Sequence, residues 1–230
     1  MTMTSKAHIP GPLSKLSYDR LGLWFAIAVA PFLLNDLANI FVHNFTTWII
    51  IDYIFVKGFP LVVLIYLLRS RVISLADLGI KRLRFFTFFA WTISFTIIGL
   101  YGEAAFRHYL APLFPNTTLG YIPWDSDSPL AVIDLYFGML LVGIFEEIIF
   151  RGFAFTVSKR WRLTIPMMFI LSSLLFGLIH WSLGLAMIVK TTLIGAIFMV
   201  GMWKTGSVVP MIVAHALMDF TFFAGIHIWI

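Results

Sequence analysis

Glu146 and Glu147 stand side by side in a run of apolar residues, with Arg151 four positions beyond Glu147. Two histidines lie in equally apolar surroundings, His180 at the end of Phe176-Gly177-Leu178-Ile179 and His215 four residues before Asp219. Carboxylates and imidazoles together can activate water, or can bind a divalent metal that does so. On a helix, adjacent residues point roughly 100° apart while residues four apart share a face. Glu147 and Arg151 should therefore satisfy one another, and their pairing would orient the helix. Glu146 has Phe150 on its own face, so its partners must come from other helices. His215 and Asp219 project from one face toward a common point, and His180 is the remaining candidate partner. A histidine that donates to a developing oxyanion in a low dielectric points to hydrolysis of an amide or ester.

These groups are embedded in a chain that is 60% hydrophobic, 17% aromatic and only 12% charged over 230 residues. So little polar surface cannot cover a water-soluble globule, and the solvent must be lipid. A helix needs about 20 apolar residues to cross the hydrocarbon layer. Runs of that kind predict spans near 21–42, 46–68, 85–103, 130–156, 164–181, 184–203 and 207–228. They are continuously apolar and lack the alternation of barrel strands, so the expected fold class is all-α, a polytopic membrane helix bundle of about seven transmembrane helices. Ionisable residues in such spans cost about 2.5 to 3.5 kcal/mol or more each, and each needs a reason to be there. The chain has no Cys, which removes disulfides and thiolate chemistry.

Net charge is +5, but the basic residues follow the membrane, so no nucleic-acid partner is expected. Lys6, Lys15 and Arg20 precede the first span, and Arg69, Arg71, Lys81, Arg82 and Arg84 lie between the second and third. Lys159, Arg160 and Arg162 follow the fourth span and Lys204 the sixth, whereas the opposite connections carry Arg107 beside Glu103, Asp125 and Asp127. The positive-inside rule then places the amino terminus in the cytoplasm and the carboxyl terminus outside. Residues 1–20 read as a cytoplasmic tail and 21–230 as one helix bundle. Residues 72–84 are expected along the cytoplasmic interface, and 111–129, rich in proline, in an external loop.

At its polar motifs the sequence resembles the CAAX-processing and bacteriocin-processing (CPBP) intramembrane proteases, also called the Abi or type II CAAX prenyl protease-like family. The motifs read Glu146-Glu147-Ile148-Ile149-Phe150-Arg151, then Phe176 through His180, then His215 through Asp219. Lys204 through Ser207 and Pro210 resemble the family's approach to its last motif, and the similarity covers about 130–225. The resemblance implies an integral membrane endopeptidase, expected in a prokaryotic plasma membrane, that cleaves a membrane-associated protein or peptide and needs no cofactor. It implies that Glu146 and His180 activate water, that His215 and Asp219 stabilise the oxyanion, and that Glu147, Arg151 and Phe176 support them. Asp219 stands where many members have Asn, and an ionised Asp cannot donate to an oxyanion. It must be protonated, orient His215, or bind a metal.

Three alternatives remain at this level. Glu146, His180, His215 and Asp219 offer the donors that a divalent metal such as zinc accepts. A non-enzymatic membrane immunity or scaffold protein could keep the cluster for helix packing. A transporter could use the carboxylates as a proton relay, although neither inverted repeats nor broken paired helices occur. The other intramembrane polar groups, Asn35, Asp36, Asn39, Asp52, Lys57, Asp134 and Lys190, have no recognisable spacing and are assigned to packing, interface or cavity lining. Depth is a constraint on every version. At about 1.5 Å per residue, Glu146 and His180 lie roughly 22 and 28 Å from a turn at Trp161, but His215 only about 13 Å from the turn at Gly206. They can meet if the Trp161 turn projects some 10 Å into the cytoplasm and the helices tilt. The charge asymmetry predicts that a reporter fused after Ile230 is external and one inserted near Arg82 is cytoplasmic. Protease protection in sealed vesicles measures both, and a cytoplasmic carboxyl terminus would mean a miscounted span.

Overall fold

The computed structural model describes residues 18–226. The expected tail at 1–20 and the last residues of the seventh span therefore fall largely outside the described residues. Among those described, seven helical rods and no strand are found. They are α1 (Tyr18–Phe41), α2 (Phe45–Arg69), α3 (Phe85–Leu113), α4 (129–160), α5 (Ile165–Leu178), α6 (Leu185–Thr205) and α7 (Val209–Phe223). The protein is an all-α membrane helix bundle.

Local sequence sets the ends of these rods. Asn44 caps α2 by accepting from the Thr47 amide, and Ser128 caps α4 ahead of Pro129. Proline also occupies the first turn of α5 and α7, where its missing N–H costs nothing. Gly206, at φ 65°, closes α6 in the left-handed region. Four rods, α1, α2, α3 and α6, are long and apolar enough to cross a membrane by length and composition.

The short rods depart from the predicted spans. α5 has 14 residues and α7 has 15, about 21 to 23 Å of helix against roughly 30 Å of hydrocarbon. The helix expected over 164–181 stops at Leu178, so His180 sits on a turn rather than on a helix face. Gly184, at φ 93°, reverses the chain there, and α6 runs back antiparallel against α5.

Around an apolar core, burial departs from that of a soluble protein. Phe86 is 84% exposed and Phe41 74%, whereas Arg151 and Glu147 are fully buried. Apolar side chains face outward because lipid is no worse a solvent for them than the interior. Charged groups turn inward because only protein can satisfy them.

The connection at 72–84 resolves the depth constraint. A Cβ on Gly152 would meet the Leu78 carbonyl oxygen at 2.0 Å, so this segment presses directly on α4 at Gly152. The Val208 amide donates to the Gly79 carbonyl at 2.9 Å, which puts the start of α7 at the same level. From Gly152 the rod α4 continues to the turn at Trp161, about 12 to 14 Å further. A projection of this size, expected from the sequence, lets the motifs meet. Glu147 and His215 then stand at similar heights above a common floor.

Candidate active site

Close approach of α4 and α7 brings the first partners together. A Cβ on Gly143 would lie 2.8 Å from the Ile212 carbonyl oxygen and 3.2 Å from the Ala216 nitrogen, so only glycine lets the two backbones come this near. One turn further along each helix, His215 Nδ1 meets Glu147 Oε1 at 2.8 Å. Glu147 Oε1 also lies 3.1 Å from Arg151 Nη1. The expected pair of Glu147 and Arg151 is present, but Glu147 has a second partner that helical spacing could not reveal.

Arg151 lies behind this contact, with its guanidinium 3.8 Å from the centre of the Phe176 ring and 5.6 Å from that of Phe198. None of its nitrogens meets hydrogen-bond geometry with a protein acceptor. Coulomb attraction to Glu147 and two aromatic faces therefore compensate for its burial, and a desolvated cation–π contact contributes about 2 kcal/mol. Phe176 joins the groups together. Its ring lies 5.5 Å from His180, 6.0 Å from His215 and 5.6 Å from Phe150. Phe198, 5.9 Å edge-on to His215, was missed in the sequence. One phenylalanine in an apolar helix carries no signal that separates it from its neighbours.

Glu146, His180, His215 and Asp219 all line one cavity of about 200 Å³. His215 Nε2 lies 3.5 Å from Asp219 Oδ2 and 3.7 Å from Glu146 Oε2, which are ion-pair separations rather than hydrogen bonds. The Asp219 side chain is 26% exposed and that of Glu146 12%, while Glu147 and Arg151 lie sealed behind the wall. His180 makes its polar contact elsewhere, with Nδ1 3.1 Å from the Phe176 carbonyl oxygen. A carbonyl only accepts, so Nδ1 carries the hydrogen and Nε2 keeps a lone pair.

Residues 128–221 match the family described as type II CAAX prenyl endopeptidase Rce1-like. Through this segment the chain is similar to the CAAX protease-like family. Neither the comparison with curated proteins nor that with solved structures returns a match. The CAAX protease-like segment takes in α4 to α6 and α7 up to Thr221, and so every residue of the three polar motifs. The family implies an integral membrane peptidase.

Among the described residues, no group of three or more His, Cys, Asp or Glu side chains is arranged to hold a metal ion.

The two glutamates should separate experimentally. Glu147→Ala leaves Arg151 buried without its counter-charge, and should cost about 3 to 5 kcal/mol and lower the yield of folded protein. Glu146→Gln keeps the shape on the cavity wall and should unfold like the parent. Thermal unfolding in detergent measures both, and equal losses would contradict the division between a wall group and a sealed pair.

Proposed function

We propose that the protein is an intramembrane endopeptidase in which Glu146 activates water and two histidines assist. The observation that carries this reading is the meeting of Glu146, His180, His215 and Asp219, from three separate polar motifs, on one cavity whose wall also holds Asp36, Asn39 and Lys190. Residues that need only hold helices together can be sealed, as Glu147 and Arg151 are. Groups left facing a cavity are available to a reactant.

In the proposed reaction, His180 Nε2 accepts a hydrogen bond from a water whose proton passes to Glu146. The resulting hydroxide attacks the carbonyl carbon of the scissile peptide. The oxyanion that forms is met by a hydrogen on His215 Nε2, while Nδ1–H is held by Glu147. When the tetrahedral intermediate collapses, the C–N bond breaks and Glu146 returns its proton to the departing amine. Water is consumed, and one carboxyl and one amino group are produced. Asp219, four residues from His215 on the same face, steers Nε2 or donates a second hydrogen as the acid. The substrate class is a membrane-associated protein or peptide, because the cavity lies within the bundle.

The purified protein is incubated with a farnesylated CAAX-type peptide and with detergent-extracted membrane proteins of its own source cells, all in ¹⁸O-labelled water. New carboxyl termini carrying ¹⁸O should form with the parent and be absent with Glu146→Gln. Identical sets of labelled termini from both proteins would overturn the reading and leave a scaffold or immunity role.

Asp219→Asn distinguishes the side-chain mechanism from a metal-assisted one. Asn keeps the shape and can hydrogen bond to His215, so the variant should retain activity within about tenfold. Loss of more than that, together with chelator sensitivity of the parent and stoichiometric zinc by elemental analysis, would transfer the role to a metal.

A further inference from the structure

His180 follows the end of α5, where its amide donates to the Gly177 carbonyl at 3.1 Å and its carbonyl accepts from the Leu183 amide at 3.2 Å. The turn it starts is fixed from two sides. Ser182 is the common point and is fully buried. Its amide donates to Asp36 Oδ2, and its hydroxyl accepts from Asn39 Nδ2 at 3.1 Å. Its carbonyl oxygen accepts from the amides of Leu119 at 2.8 Å and Gly120 at 3.1 Å. Next to it, Trp181 Nε1 donates to the Leu33 carbonyl at 3.0 Å.

The α1 side of this clamp is itself braced. Asn39 Nδ2 also donates to Asp36 Oδ1 at 2.9 Å, and Asn39 Oδ1 accepts from Trp48 Nε1 at 2.9 Å on α2. The Asn39 carbonyl accepts from the Tyr121 amide at 3.0 Å, which ties the external loop to the same helix turn. Asp36 is 2% exposed and Asn39 3%. Polar groups this deeply placed in an apolar bundle are expensive unless they are fully used, and each of these is used on the turn that carries His180.

We propose that Asp36 and Asn39 are positioning residues for His180, holding through Ser182 the turn that aims its imidazole into the cavity. Both lie on α1, outside the segment that matches the family. The inference rests on the proposed part of His180 in water activation. It gives buried polar residues of the first helix a role at the site that packing does not explain. The catalytic group stands on a turn, and a displacement of about 1 Å there can cost a reaction on the order of 100-fold.

The test is residue-resolved hydrogen exchange of the detergent-solubilised protein. In Asp36→Ala, the amides of residues 180–184 should exchange roughly tenfold faster or more, with those of 211–218 on α7 unchanged. Asp36→Asn keeps an acceptor for the Ser182 amide and should restore most of the protection. Unchanged exchange at Ser182 in Asp36→Ala would overturn the proposal, and so would an equal rise in every helix. With the farnesylated peptide as substrate, Asp36→Ala should lower kcat about 10- to 100-fold at little change in KM. If His180→Ala cleaves this peptide normally, the reading of the site fails while the exchange result still decides the clamp. If the peptide is not cleaved, exchange alone decides it.

Discussion

A fully buried arginine in a helix bundle dictates much of what surrounds it. The Arg151 guanidinium cannot lose its proton under ordinary conditions and has no water to turn to. Its charge must be answered within a few ångströms, and Glu147, one turn away, answers it. The remaining surface of the planar cation is covered by Phe176 from α5 and Phe198 from α6. Three helices are thereby committed to one point before any reactive group is considered. Because Glu147 also holds His215, a fourth helix, α7, is bound to the same point through the same carboxylate.

This arrangement gives the site two layers. The inner layer is the fully buried pair of Arg151 and Glu147, matched in charge, with Phe176 and Phe198 over the guanidinium. The outer layer, Glu146, His180, His215 and Asp219, faces the cavity. The two glutamates differ by a single residue in the chain, and the roughly 100° between successive helical side chains sends one to each layer. His215 belongs to both. Nδ1 is held by the inner layer while Nε2 faces Glu146 and Asp219. An imidazole with one nitrogen fixed in this way has a defined direction, and with both nitrogens protonated it presents Nε2–H toward Glu146 and Asp219.

What could be read from the sequence was whatever depends on one helix. The pairing of Glu147 with Arg151 and the common face of His215 and Asp219 follow from spacing alone. The membrane character and the helical class follow from the length and continuity of the apolar runs. What could not be read depends on how two helices approach. The contact of Glu147 with His215 needs the bare backbone at Gly143, and the matching of heights needs Leu78 pressed against Gly152. Neither glycine stands out among the sixteen in the chain. The early end of α5 was hidden for a related reason. Residues 164–181 are apolar enough to continue, and the helix stops because Ser182 finds partners on α1 and in the loop at 119–120, far away in sequence.

The polar residues of α1 show why spacing is a poor guide in lipid. In water a buried Asp or Asn can be satisfied by solvent after a small movement, so its neighbours in the chain say much about its role. In an apolar bundle every donor and acceptor must find a protein partner, and that partner can lie on any helix at the same depth. Asp36 and Asn39 are bonded to a turn more than 140 residues away. Their positions within α1 carry no pattern because the pattern is written across helices. The half of the bundle that matches the family carries the candidate reactive groups. The other half contributes the surface against which one of them, His180, is set, and the chemistry proposed for the second half is therefore a property of the whole chain.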